Sequence, residues 1–181
     1  MRAKTDQLSE AIKQFSDGTS TDAYQFMGCH PAAVDGQDGY VFRVWAPHAK
    51  SVRVLGRFND WDRSSPPMER ISPAIWERFV PGAQTFDEYK YYIERPDGTF
   101  VFRADPYAAH SATRPDNASK VFDLDGFQWT DGAYRRARGR RDVLRSPVNI
   151  YEMHLGSWRR HEDGNFLSYV DCAKQLIPYL K

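Results

Sequence analysis

Cysteine is scarce in this chain: Cys29 and Cys172 are its only two. They stand far apart and share no metal-ligand spacing, so no cysteine-based metal site is expected. Long hydrophobic runs are missing too. No window approaches the roughly 20 apolar residues of a membrane span. Residues 1–10 are polar, without the apolar stretch of a secretory signal. Two lone thiols without such a signal suggest a reducing compartment, and a cytoplasmic location is the expectation. Excess charge is also absent. Lys and Arg total 25 against 24 Asp and Glu, a net charge of +1. That balance supplies no electrostatic reason to expect a nucleic-acid or anionic-membrane partner.

What the sequence does hold is a 41% hydrophobic share, enough for a core in 181 residues, and a 14% aromatic share. Aromatic rings fill strands well. Their flat faces also dock on flat apolar sugar faces, with Trp and Tyr adding a polar handle. Leu8, Ala11, Ile12 and Phe15 recur at helical spacing and Gly18 follows, which predicts a short amphipathic helix serving as a packing arm. From Gly39 the period becomes two. Tyr40, Phe42 and Val44 alternate with Val41, Arg43 and Trp45, and Pro47 ends the run. Ser51–Gly56 alternates next, with Val52 and Val54 on one face. A loop rich in turn formers, 59–67, separates it from the alternating run Trp76–Val80. Glu88–Glu94 follows with Tyr89, Tyr91 and Ile93 on one side. Pro96-Asp97-Gly98 predicts a hairpin turn into Thr99–Arg103, and Ser119–Phe122 suits a last short strand. Six or seven short strands at this spacing predict a mainly β chain built on an immunoglobulin-like β-sandwich.

Beyond the sandwich, six arginines between Arg135 and Arg145 make a basic, apolar-poor stretch, read as a solvated connector. Val148–Leu155 is a compact strand signal. Phe166, Tyr169, Val170, Ala173, Leu176, Ile177 and Leu180 form one helical stripe, with Pro178 weakening its last turn. A strand and a helix are half of a βαβ unit and lack the further strands that a parallel sheet needs. The expected organisation is a helical lead-in over 1–35, a sandwich over 36–125, a linker over 126–146, and the first strand and helix of an incomplete (β/α)8 barrel over 147–181.

Several of these segments are familiar. Val44-Trp-Ala-Pro47, Val52-Arg-Val54 and Gly56-Arg-Phe-Asn-Asp-Trp-Asp62 resemble the glycogen-binding sandwich (a family 48 carbohydrate-binding module) that precedes the barrel of branching and debranching enzymes. The glycogen-binding domain of AMP-activated kinase β subunits is similar. Tyr89-Lys-Tyr91, Asp97-Gly98 and Asp105-Pro-Tyr-Ala108 fit the same pattern, and Phe26-Met-Gly-Cys-His-Pro31 resembles the lead-in to it. Ile150-Tyr-Glu-Met-His-Leu-Gly-Ser-Trp-Arg-Arg160 and Ser168-Tyr169 look like the first barrel strand and helix opening of bacterial glycogen branching enzymes. Arg57 departs from an acidic or small family residue, and Pro73-Ala-Ile75 replaces the usual glycine before Trp76.

The resemblance implies a reaction in which an α-1,4-glucan is cut, held on an aspartate and transferred to a 6-hydroxyl. Such retaining chemistry uses two carboxyl groups about 5 Å apart, which the family carries on later barrel strands. No stretch here resembles those motifs, so neither Glu152 nor Asp163 is assigned catalysis, and Glu152 and His154 read as structural. By resemblance to the kinase-subunit module, Trp61, Lys90 and Asn117 fall on glucan-contacting positions, while Trp76 reads as core or interface. No cofactor or metal is expected. The expected partners are an α-1,4-glucan or glycogen and the rest of the barrel, with no nucleic acid or membrane. Two alternatives stay open: a free-standing glucan-binding module, and the N-terminal part of a debranching or trehalose-forming glycoside hydrolase.

Overall fold

The computed structural model describes residues 2–181, with the side chains of 2–6 and 143 excepted. It divides into two compact units, 1–127 and 128–181. In the first, helix α1 spans Arg2–Ser16, and Gly18, at φ 72°, ends it in the left-handed conformation that glycine adopts without strain. Nine strands follow: β1 (Gly28–Val34), β2 (Gln37–Trp45), β3 (Ser51–Gly56), β4 (Glu69–Arg70), β5 (Ile75–Pro81), β6 (Glu88–Glu94), β7 (Phe100–Arg103), β8 (His110–Ser111) and β9 (Ser119–Lys120). They form two antiparallel sheets. One runs β1-β2-β5-β4; the other runs β3-β6-β9-β8, with β7 sharing an edge of β6. This is the mainly β sandwich expected, with a helix before it.

Alternation along the strands accounts for the core. Phe42 and Val44 of β2 and Trp76 of β5 meet Val52 and Val54 of β3 and Tyr89 and Tyr91 of β6, closed by Met68 and Val121. Trp76 is core, 6% exposed, and its indole donates to the Ala46 carbonyl at 3.0 Å. The helical stripe Leu8, Ala11, Ile12 and Phe15 packs on a second cluster of Phe26, Met27 and Ile75, so α1 is a packing arm.

One strand lies where the helical lead-in was expected. Residues 28–34 form β1, paired with β2 from Gly28↔Arg43 to Val34↔Gln37. Pro31 and two alanines make it a poor strand signal. As an edge strand, β1 tolerates the proline. The signal present was Asp35-Gly36, whose φ angles of 51° and 78° are those of a two-residue hairpin turn.

The second unit is described by itself. Gly132–Gly139 forms helix α2 within the basic stretch, Leu155–Trp158 forms α3 and Tyr169–Leu180 forms α4. Ser168 caps α4, its Oγ accepting from the Asp171 amide at 3.1 Å. The strand expected over Val148–Leu155 does not form: 147–154 is irregular and Leu155 opens α3. A strand needs a ladder partner for its backbone groups. The described residues of this unit offer only the isolated Arg160–Phe166 bridge. His154 bonds Ser157 Oγ through Nδ1 at 2.9 Å, and Glu152 is exposed.

Candidate functional site

Because Tyr89 and Tyr91 of β6 face the core, Lys90 and Tyr92 face outward. Register on β3 puts Leu55 opposite Lys90 and Gly56 opposite Tyr89. Glycine at 56 is required by close approach. A Cβ there would meet the Glu88 carbonyl oxygen at 2.5 Å and the Phe58 ring at 2.8 Å. From this point the chain leaves the sheet in a tight loop. Asn59 Oδ1 accepts from the Gly56 amide at 2.9 Å, and its Nδ2 donates to the Val54 carbonyl at 3.0 Å and to Ser65 Oγ at 3.2 Å. Asp60 and Trp61 then take φ of 51° and 57°, and the Trp61 amide returns to the Gly56 carbonyl at 3.0 Å.

Two successive non-glycine residues in the left-handed region are uncommon, and a bulky one is an outlier that the surrounding loop must hold. Trp61 is half-buried and belongs to neither core cluster. Among the described residues nothing bonds its indole nitrogen or pairs with its ring.

Lys90 and Asn117 meet directly, Nζ donating to Oδ1 at 2.5 Å. Asn117 is presented by a turn in which Asp116 Oδ1 accepts from the amides of Asn117 (2.6 Å) and Ala118 (3.2 Å). Those bonds, aided by the charges of Lys90 and Lys120, hold the Asp116 carboxyl below its ordinary range. On the same side, Glu88 links Arg57 at 3.4 Å and Lys120 at 3.7 Å, which accounts for Arg57. The structure thus brings Lys90 and Asn117 together. Trp61 is tied to the end of β3, one residue beyond the Leu55–Lys90 pair.

The sequence reading missed a group beside these residues. The Tyr92 and Phe100 rings stack at 4.8 Å with 15° between planes, and Phe102 lies 4.8 Å from Tyr92. Arg63, from the Trp61 loop, lies 5.5 Å from the centres of both Tyr92 and Phe102. Phe100 is 44% exposed. The available signal was alternation: Phe100 and Phe102 after the Asp97-Gly98 turn share one face with Tyr92.

A buried polar network lies behind this face. Asp105, 6% exposed, accepts from Tyr89 OH at 2.7 Å, Tyr91 OH at 3.1 Å and the Tyr107 amide at 2.8 Å. Its own amide donates to Ser119 Oγ at 2.8 Å. Burial raises the Asp105 carboxyl above its ordinary value, against the pull of those hydrogen bonds. Burial, then the nearby carboxylate, raises the Cys29 thiol and both tyrosine hydroxyls. Each polar atom is satisfied, so the network fixes how β6 meets the 105–108 turn.

Ring faces and outward N–H donors are the chemistry that polyhydroxylated ligands pair with. Lys90 keeps two donor hydrogens and the Asn117 amide keeps its NH2. Glycosidic-bond transfer would need two carboxyl groups, and none of Trp61, Lys90 and Asn117 is one. Among the described residues no three His, Cys, Asp or Glu side chains are grouped to hold a metal ion.

The class that the fold defines is a two-sheet antiparallel β-sandwich. Residues 26–108 match carbohydrate-binding module 48 (isoamylase N-terminal domain), and the chain carries that domain. Along about nine-tenths of its length it matches the N-terminal portion of 1,4-alpha-glucan branching enzymes GlgB. It is 42% identical over 168 residues to that of Bacillus subtilis (strain 168), covering 92% of this chain and 27% of that protein. It is 41% identical over 171 residues to that of Butyrivibrio fibrisolvens, again covering 92% and 27%. The chain therefore spans about a quarter of the length of these curated relatives. Among solved structures it is similar to a putative alpha amylase from Salmonella typhimurium, at 21% identity and a TM-score of 0.45, covering 60% of this chain and 17% of that one.

Proposed function

We propose that this chain is the N-terminal portion of a 1,4-alpha-glucan branching enzyme, and that its sandwich holds an α-1,4-glucan through Trp61, Lys90 and Asn117. The observation that carries the reading is the Lys90–Asn117 bond on the outer face of β6, beside a loop that holds Trp61 in the left-handed region. The indole offers a stacking face, and Lys90 and Asn117 donate to hydroxyls. Tyr92, Phe100 and Arg63 extend the surface along β6. The catalytic carboxyl groups belong to later strands of a (β/α)8 barrel, and the exposed stripe of α4 packs within that barrel. The enzyme works in the cytoplasm, where Cys29 and Cys172 stay free thiols.

Retention on an amylose column tests this. Removing a central aromatic anchor costs about 2 kcal/mol, a roughly thirtyfold loss of affinity. Trp61→Ala is expected to lose retention while keeping the parent's circular dichroism. Trp61→Gly also relieves the left-handed strain, so it is expected to fold at least as stably and still fail to bind. Retention of both variants at the parent's level would overturn the assignment.

A further inference from the structure

A second group of rings lies around the start of β6 and the β8–β9 hairpin. Phe86, just before β6, has φ 73° and is 55% exposed. A phenylalanine in the left-handed region is as unusual as Trp61. Its amide N–H donates to the Val121 carbonyl oxygen at 2.8 Å, which holds it there. Its ring is 5.6 Å from His110 of β8 and 5.6 Å from Phe122, which are 5.4 Å from each other. Val121 is wholly buried, so its neighbour Phe122 is turned outward into this group. Phe122 also lines a cleft of about 510 Å³ with Tyr24, His30, Tyr107, Asp123 and Asp125. That volume is ordinary for a small-ligand site. The lining combines ring faces with carboxylate, hydroxyl and imidazole groups. Asp123 is held in place by accepting from the Asp125 amide at 2.9 Å.

We infer that this cleft, with the Phe86–His110–Phe122 rings beside it, is a second binding site for an α-1,4-linked glucose oligosaccharide. Sugar rings pair an apolar face with a rim of hydroxyls. The triad supplies the faces, and Asp123, Asp125 and Tyr24 accept from or donate to the rim. A solely apolar partner would leave those carboxylates desolvated without compensation. The inference rests on the glucan reading of the sandwich and extends it from one surface to two.

Titration of the full chain with maltoheptaose, followed by amide NMR, tests it, with cellohexaose as the β-linked control. In Trp61→Ala protein, saturable shifts are expected at 86, 110 and 122–125 with maltoheptaose and not with cellohexaose. Phe86→Gly suits the backbone at φ 73° and leaves the fold intact; it is expected to weaken that site about tenfold. Asp123→Asn is expected to weaken it several-fold. Shifts confined to the Trp61 surface of the parent protein would overturn the second site and leave the first standing. Shifts at 86, 110 and 122–125 that Phe86→Gly leaves undiminished, or that cellohexaose reproduces, would overturn the ring platform. No shift anywhere would overturn both.

Discussion

At the scale of single residues, Asp105 shows what burial does to a carboxyl group. Its acceptors are taken by Tyr89, Tyr91 and the Tyr107 amide, yet desolvation outweighs them and its pKa is raised. The folded protein therefore holds this proton more tightly than the unfolded chain does. The associated stability is fully present below the ordinary value of 3.8 and is lost as pH rises through the raised value. Asp105→Asn removes this titration. Urea midpoints between pH 4 and 8 are expected to show the parent's advantage over the variant shrinking as pH rises. Asp62, Asp97 and Asp116, whose pKa values are lowered by local hydrogen bonds, act in the opposite sense. They are common to both proteins, so they cancel in the difference. An advantage that grows with pH would show that the hydrogen bonds dominate over burial.

At the scale of elements, the β3–β4 loop carries Trp61 of the candidate site, and Gly56 sets its course. Its extended backbone suits any residue, but the Glu88 carbonyl and the Phe58 ring leave no room for a Cβ. Gly56→Ala is expected to destabilise the sandwich by about 1–3 kcal/mol, the usual cost of overpacking, read as a lower urea midpoint. It is also expected to weaken amylose retention, because the loop bonds from Gly56 to Asn59 and Trp61 must shift. Retention unchanged in a folded variant would separate Trp61 from the Gly56 anchor. Most elements were legible beforehand: Ser51–Gly56 and Glu88–Glu94 have the bounds that alternation predicts. β1 was not, since edge position rather than composition lets Pro31 stay in a strand. The two-residue strands β4 and β8 have no sequence period to read at all.

At the scale of the whole molecule, the two units differ in how much they bury. The sandwich holds two apolar clusters, whereas along 148–181 Ile150, Val170, Ile177 and Leu180 are each more than half exposed and Cys172 is the one buried side chain among the described residues. Exchange follows burial and protected hydrogen bonds. Amides over 148–181 are therefore expected to exchange fast and those over 40–104 slowly, and equal protection would contradict this. The chain by itself is expected to form no α-1,6 branches in amylose. Iodine absorbance and linkage counting against a buffer control check that, and a rise in branch points would sink it.

Alternation along β2, β3, β5 and β6, the Asp97-Gly98 turn and the α1 stripe determined the sandwich and its packing arm from sequence alone. Period and turn chemistry are local properties, so a linear reading reaches them. Tertiary structure alone decided that Lys90 and Asn117 bond across 27 residues, that Asp105 joins two tyrosines of β6, and that Phe86, His110 and Phe122 share one surface. It also decided that Val148–Leu155, strand-like in composition, forms no strand, because its backbone groups find no ladder partner in their own unit. Each of these depends on which distant segments come together: the pairing of β6, β8 and β9 in one sheet brings the first three about, and Val148–Leu155 has no such partner in its own unit.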